Sequence, residues 1–416
     1  MNQPKVMIGF QEALSLILKN VPQGVSEEVS WLEATGRVLA EDAVAKVDSP
    51  LSDVALKDGY AVFSSDVTSA RPDREVKLRL LSFKGAGDSP GQALEPGTAI
   101  RVTTGAVVPP GAQAVLAQEF TREEQDTVCC LNDAEPGRNI LPKGTDVRAG
   151  EVVARQGERL SPALVGLLAC AGLDHLWVVS RPLVAVIATG DEVVVPGGPL
   201  GPGQIYASNM VETVSWLQSF GLPEVSFRVV KDRADEIKAA IEGMSSRVDA
   251  FITSGGAWQS ERDLVLQVLE DLGWHEIFRH VRLGPGKAVA FGLLQNRPVF
   301  ILSGGPPSYE TAFLELALPG LLAMAGWRGP VFPTLKARLE EAVRGEKGWT
   351  QAIHAKVTFK DRHFCVRPYK TASRLSSMAR KDGIIIVPEG QAELAAGEEV
   401  EVQVISLEPL SNRSML

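Results

Sequence analysis

Residues 182–192 read Pro182-Leu183-Val184-Ala185-Val186-Ile187-Ala188-Thr189-Gly190-Asp191-Glu192, an apolar run that stops at a polar glycine turn. A strand apolar on both sides is covered on both faces, as central strands of parallel sheets are. The texture repeats downstream. MVETVSWLQSFG (210–221) has helical spacing and closes on Gly221, and EVSFRVVKD (224–232) reads as a strand. EIKAAIEGMSS (236–246) is a helix, VDAFITSGG (248–256) a buried strand, and DLVLQVLEDLG (263–273) a helix. AVAFGLL (288–294) and RPVFILSGG (297–305) are strands, and SYETAFLELALPGLLAM (308–324) reads as one long helix. Strands alternating with helices predict an α/β domain around a mostly parallel sheet.

The flanks differ. Phe10, Ala13, Leu14, Ile17, Leu18 and Val21 predict an amphipathic helix over about 8–20, and a second helix is expected over Trp31–Leu39. From about 50 to 150, short runs such as KLRLLSF, TAIRVTTG and AQAVLAQEF are separated by Gly and Pro clusters, which predicts a β-rich module. SPALVGLLACAGL (161–173) looks like a capped helix and HLWVVS (175–180) a strand. The last stretch returns to short strands, AIHAKVTFKD, HFCVRPY, GIIIVPEG and EEVEVQVI, as in a small β-barrel or sandwich.

The chain has 416 residues, 45% hydrophobic and 22% charged, an ordinary composition for a folded protein of several domains. Its formal charge is −9, which disfavours a general polyanion binder; no nucleic-acid or membrane partner is expected. Residues 331–416 carry +2, so the first 330 carry −11. Arg374, Arg380 and Lys381 cluster in that tail, as a solvated face or as part of an anion site. Cys129, Cys130, Cys170 and Cys365 have no metal-ligand spacing, and two are adjacent, which suits a reducing interior. The N-terminus does not read as a signal peptide because Glu12 interrupts its apolar core. The longest apolar span carries Glu315 and Pro319 and is shorter than the ~20 residues a bilayer needs. A cytoplasmic protein is expected.

In an open parallel sheet, ligands sit beyond the carboxyl ends of the strands. Three such ends are polar and glycine-rich: Thr189-Gly190-Asp191-Glu192, Ser254-Gly255-Gly256, and Ser303-Gly304-Gly305-Pro306-Pro307-Ser308. Glycine lets a backbone approach a ligand, and free amides favour oxyanions. One such turn is commonplace; three on successive strands suggest a site. Gly284-Pro285-Gly286-Lys287 adds a positive charge nearby. Glu261 and Asp263 read either as acidic residues at a helix start or as ligands of a divalent cation held against a phosphate. Asp58, between a Ser-containing loop and a strand, reads on its own as a turn residue.

Together these motifs resemble the MoeA family, the molybdopterin molybdenumtransferases, which include the E domain of gephyrin. The resemblance runs in order through Ala34-Thr35-Gly36-Arg37-Val38-Leu39-Ala40-Glu41-Asp42, Asp53–Ala61, and Ile100-Arg101-Val102-Thr103-Thr104-Gly105-Ala106. It continues through Gln118-Glu119, Thr189–Glu192, Gly203-Gln204-Ile205-Tyr206 with Asn209, Ser254-Gly255-Gly256 and Pro285-Gly286-Lys287. It implies a multidomain α/β plus β fold, an elongated subunit with a MogA-like α/β domain, a β-rich domain and a C-terminal small β-barrel. The implied division is 1–49 with 147–180 (linker and dimerisation), 50–146 (β-rich), 181–328 (α/β, molybdopterin-binding) and 329–416 (barrel). The implied reaction takes adenylylated molybdopterin and molybdate, releases AMP, and leaves molybdenum on the dithiolene with Mg²⁺ assisting. A homodimer is implied, with a cleft between the α/β domain of one subunit and the β-rich domain of the other. A MogA-like adenylyltransferase and molybdoenzyme apoproteins are the implied protein partners.

Carried over by position, Asp58, Glu261 and Asp263 would hold the metal or assist cleavage, Thr104 would line the cleft, and Lys287 would hold an oxyanion. Thr189, Gly190, Asp191, Glu192, Ser254, Gly255, Gly256, Gly286, Gly304 and Ser308 would bind the pterin nucleotide, with Ser373 and Arg374 closing the cleft. Several positions depart from the family pattern. Gly284 stands where a second lysine is usual, Ser303 and Gly305 replace Pro and Asn, and Trp258 replaces a small residue. Lys57 stands for Met, Lys143 for Arg, and His354 where an Arg-Gly pair supplies a guanidinium. The carboxylates survive while the oxyanion pocket is remodelled, so an altered paralogue that binds molybdopterin or its adenylate as a carrier or regulatory module is the alternative.

Overall fold

The structure is a computed structural model describing residues 5–222, 225–255 and 264–406. The chain forms two compact units, residues 28–178 and residues 1–27 with 179–416.

In the second unit, strand Val184–Thr189 is buried along its whole length and lies between Val225–Val230 and Ala250–Ser254, parallel to both. Ala250–Ser254 pairs in parallel with Arg297–Leu302, and two antiparallel strands follow, Val289–Leu294 and His275–Gly284. Alternate residues enter opposite cores, as the two-residue period of a strand requires. Val184, Val186, Ile252 and Phe300 face one layer, while Ala185, Ile187, Phe251 and Ile301 face the other. Helices Ser208–Ser219, Ala234–Ser245 and Leu264–Asp271 cover the sheet. The N-terminal strand Lys5–Gly9 adds itself in parallel to His275–Gly284. The helix Phe10–Asn20 that follows buries Phe10, Ala13 and Ile17 in the same core. Truncating a fully buried residue such as Ile17 to Ala costs about 2–5 kcal/mol.

Five strands of the tail, Thr334–Leu339, Thr350–Lys360, His363–Pro368, Gly383–Val387 and Glu399–Val404, pair in a closed ring. This is the small β-barrel, filled by Leu339, Val357, Val366, Ile385 and Val402. Residues 28–178 carry a six-stranded sheet with both faces packed, Tyr60, Leu78 and Leu116 on one side and Ile100, Val102 and Val115 on the other. Their helix Pro162–Cys170 is capped by Ser161, whose Oγ accepts from Leu164 N at 3.2 Å.

Three expectations need correction. The helix expected over Trp31–Leu39 is a single turn, Trp31–Ala34. Its continuation is captured by a neighbouring segment: Gly36 N donates to Leu160 O, and Leu39 N donates to Glu158 O. The long helix over 308–324 is Pro306–Ala312, a π turn Phe313–Ala317, and Leu318–Met324. Pro319 has no N–H to continue the ladder, and Leu318 N reaches back to Phe313 O instead, the wider spacing of a π turn. His275–Gly284, not expected as a strand, is ten residues long.

Candidate active site

Asp58 lies just before strand Gly59–Val62. Its Oδ1 accepts from Thr104 N at 2.7 Å and from Thr104 Oγ1 at 3.0 Å. The backbone bond first, then the hydroxyl, hold this carboxyl below its usual range. Leu56, Lys57, Asp58, Thr104, Gln118 and Glu119 line an open pocket of about 610 Å³. Lys57 Nζ is 3.2 Å from Glu119 Oε1, so its charge is directed at Glu119.

The α/β strands end on a common edge. Thr189 and Ser254 are buried there, and Thr189 Oγ1 donates to Ser254 O at 3.4 Å. Gly255 has φ +112°, and a Cβ on it would meet Thr189 Oγ1 at 2.6 Å, so a side chain fits neither the conformation nor the space. Asn209 ties two strand ends together, its Nδ2 donating to Ser254 Oγ at 3.2 Å and to Gly304 O at 3.0 Å. Asn209 belonged to the matched motifs but was not among the expected site residues. Asp191 and Glu192 form an acidic corner with Asp232, whose carboxyl is pushed up by burial and by those two charges. Lys231, whose Nζ donates to Asp191 O at 2.7 Å, offsets part of that charge.

Lys287 stands in a different environment. A pocket of about 310 Å³ is lined by Gly286, Lys287, Ser303, Gly305 and Ser308 and by Trp349 and Gln351 of the C-terminal barrel, among others. Gly286 adopts φ +124°, with Leu283 Cδ2 3.0 Å from where a Cβ would lie. Lys287 Nζ sits 5.9 Å from the centre of the Trp349 ring. Ser303 Oγ is buried with no hydrogen-bond partner among the described residues. Trp349 and Gln351 escaped the sequence reading because they reach the edge through long-range pairings of strand Thr350–Lys360, Leu283↔Thr350 and Gly284↔Gln351.

The structure thus brings together Gly286, Lys287 and Ser308 of the expected residues, with Gly304 beside them in the turn. Thr189, Gly190, Asp191 and Glu192 stand elsewhere along the edge and do not line this pocket. Ser373 and Arg374 do not line it either. Ser373 caps the helix Arg374–Arg380, its Oγ accepting from Ser376 N at 3.2 Å, and Arg374 is exposed. Gly256, Glu261, Asp263 and Trp258 lie outside the described residues. His354, where the resemblance expects a guanidinium, is engaged by Glu310 at 3.1 Å.

Three family models match along the chain: "MoeA N-terminal region (domain I and II)" over 8–172, "Probable molybdopterin binding domain" over 185–323, and "MoeA C-terminal region (domain IV)" over 336–405. Molybdopterin molybdenumtransferase 2 of Mycobacterium tuberculosis is 32% identical, covering 90% of this chain and 94% of its own. The chain belongs to the MoeA family. Among MoeA relatives, the molybdopterin molybdenumtransferase of Synechococcus elongatus is 32% identical, covering 96% of this chain and 100% of its own. The crystal structure of the MoeA protein from Pyrococcus horikosii matches with a TM-score of 0.79 at 31% identity, over 96% of this chain and 99% of that one. The multidomain α/β plus β architecture with its small barrel is therefore the MoeA architecture.

Proposed function

We infer that this MoeA-family chain is a molybdopterin molybdenumtransferase of molybdenum cofactor biosynthesis, taking molybdate and adenylylated molybdopterin and releasing AMP. The observation that carries the reading is the convergence of Gly286, Lys287, Ser303 and Ser308 in one pocket at the carboxyl edge. A lysine, two hydroxyls and an exposed glycine turn suit a tetrahedral dianion, which needs positive charge and several donors at short range, while the Glu346 carboxylate on the same lining opposes an anion and leaves Lys287 to outweigh it. Lys287 would hold the molybdate, and Thr189, Ser254 and Gly255 along the edge would take the pterin nucleotide.

Mg²⁺ fits Asp58. One carboxylate oxygen is held by Thr104, and the other accepts no hydrogen bond among the described residues. With Glu261 and Asp263 it would hold the ion, which supplies charge neutralisation at the phosphate. The four-part division at 1–49 with 147–180, 50–146, 181–328 and 329–416 belongs to the same proposal, as does a homodimer. Exposed Trp31, Leu32, Leu167 and Trp177 of residues 28–178 support an apolar interface. No described helix is long and apolar enough to cross a membrane, and a cytoplasmic setting is proposed, between a MogA-like adenylyltransferase and molybdoenzyme apoproteins.

The test is direct. Given adenylylated molybdopterin, Mg²⁺ and molybdate, the protein should release AMP and yield metal-loaded cofactor. Asp58→Asn should lower turnover about 100-fold or more while substrate binding persists. Tight binding without AMP release from the wild type would instead establish the carrier reading, which the missing second lysine at Gly284 favours.

A further inference from the structure

Behind the Lys287 pocket lies a buried charge cluster that the function above does not use. Glu310, on helix Pro306–Ala312, is 2% exposed, and Lys381, just past helix Arg374–Arg380, is 5% exposed. Glu310 Oε1 accepts from Lys381 Nζ, and Oε2 lies 3.1 Å from His354 Nε2 on strand Thr350–Lys360. Lys381 Nζ also donates to Met378 O at 3.0 Å. Glu212, on helix Ser208–Ser219, shares a hydrogen bond with Glu310. Thr213 and Tyr309 join the same two helices through their hydroxyls at 2.7 Å.

Two of the segments that meet at Glu310 also build the pocket, and the third packs behind it. Pro306–Ala312 begins beside Ser303 and Gly305 and carries Ser308. Thr350–Lys360 carries Gln351, with Trp349 immediately before it. Arg374–Arg380 packs on the helix that carries Ser308. The barrel segments are also tied to the α/β core by the strand pairing at Leu283 and Gly284, by Ala352 in the shared core, and by Arg282 Nε donating to Gly348 O at 3.0 Å; Glu310 adds the buried ionic grip that joins strand Thr350–Lys360 to Lys381. A buried ion pair contributes little net stability, but it fixes geometry, because either partner left alone is a desolvated charge.

We propose that Glu310 is a positioning residue for the oxyanion pocket: by gripping Lys381 and His354 together it holds the barrel wall of Trp349 and Gln351 against Lys287 and Ser308, and the pocket loosens when the grip is lost. The proposal rests on the reading of that pocket as the molybdate site. It also carries a pH dependence, since the cluster has a titratable member. Burial first, then the Glu310 charge, push the Glu212 carboxyl up to about 8, so at neutral pH it is protonated and donates to Glu310. Burial opposes the Glu310 charge, but the His354 bond, the Lys381 ammonium and the Glu212 proton outweigh it and keep Glu310 ionised. The groups facing Glu212 are Glu310, Lys381, the Tyr309 hydroxyl and, on its own helix, the Trp216 indole. Lys356 and Asp382 pair with each other at 2.7 Å next to Lys381. For an acid raised on folding, the cost of ionisation is absent at low pH and fully present above the folded-state pKa. That folding cost accrues between the ordinary carboxyl range and about 8; the native Glu212 carboxyl itself ionises only past about 8, and there one ammonium faces two carboxylates and the grip weakens.

Sodium molybdate titrated calorimetrically into the full-length protein at pH 7 and pH 9 tests this, the anion being a dianion at both. Wild-type Kd should rise at least tenfold between the two. Glu310→Gln should be at least tenfold weak already at pH 7, and Glu212→Gln, which cannot ionise, should flatten the alkaline rise to under threefold. In turnover, Glu310→Gln should raise KM for molybdate far more than it lowers kcat. A folded Glu310→Gln with wild-type Kd, or an alkaline rise that survives Glu212→Gln, overturns the proposal; if Glu310→Gln does not fold, the Glu212→Gln comparison decides alone. Wild type that binds no molybdate at pH 7 overturns the reading of the pocket itself, and with it the clamp's purpose.

Discussion

Asp58 and Lys287 each stand in a polar pocket, yet one lies within the β-rich module and the other where the α/β edge meets the barrel. Asp58 is exposed and fixed by two hydrogen bonds from a single threonine in the turn just past strand Thr98–Val102, which pairs with Gly59–Val62. Lys287 is walled by the α/β edge and the barrel together, with a buried carboxylate and ammonium and a part-buried imidazole behind it. The first arrangement survives single changes nearby; the second fails as a unit, because its members are desolvated and leave each other unpaired.

That contrast can be broken at its strongest point. Glu310→Ala strands Lys381 in the interior and should cost about 3–5 kcal/mol, read as a lower denaturation midpoint in urea. Next in size, Lys287→Ala should reduce molybdenum insertion by about 10²–10³-fold with the fold intact by circular dichroism. Thr104→Val should act more gently. It removes the weaker of the two bonds that favour the Asp58 anion, so the Asp58 carboxyl titrates at higher pH and the acid limb of the rate profile moves up with it. A carboxyl NMR titration reads that shift. Smallest of all, Lys57→Ala breaks an ion pair exposed on both sides and should leave stability unchanged within measurement.

The same contrast explains what the sequence made legible. The fully buried strands at 184–189, 250–254 and 297–302 announce themselves as apolar runs, and Ser161 announces its helix by ordinary capping chemistry. The ordered motifs single out Asp58 and Thr104 together, although only the fold shows the hydrogen bonds between them. His275–Gly284 stayed hidden because its residues alternate poorly and its pairing is bulged between Glu276 and Phe278. Lys381 read as one of three clustered basic residues, yet it is buried against a glutamate 71 positions away. Chain proximity carries no trace of such a pairing, so neither Glu310 nor the barrel wall of the Lys287 pocket could be expected from spacing.

The N-terminal segment has its own consequence for the nascent chain. Strand Lys5–Gly9 pairs with His275–Gly284, and helix Phe10–Asn20 packs on Leu318–Met324, while residues 28–178 form a separate unit in between. Ser180 N bonds Val25 O at 2.8 Å, so the interruption begins and ends at one spot. The first helix is therefore made roughly 300 residues before its partner, a wait of roughly 15–60 s at ~5–20 residues per second. Throughout that interval Phe10, Ala13 and Ile17 have no core to enter, while the intervening unit can fold ahead of the domain that encloses it in the sequence.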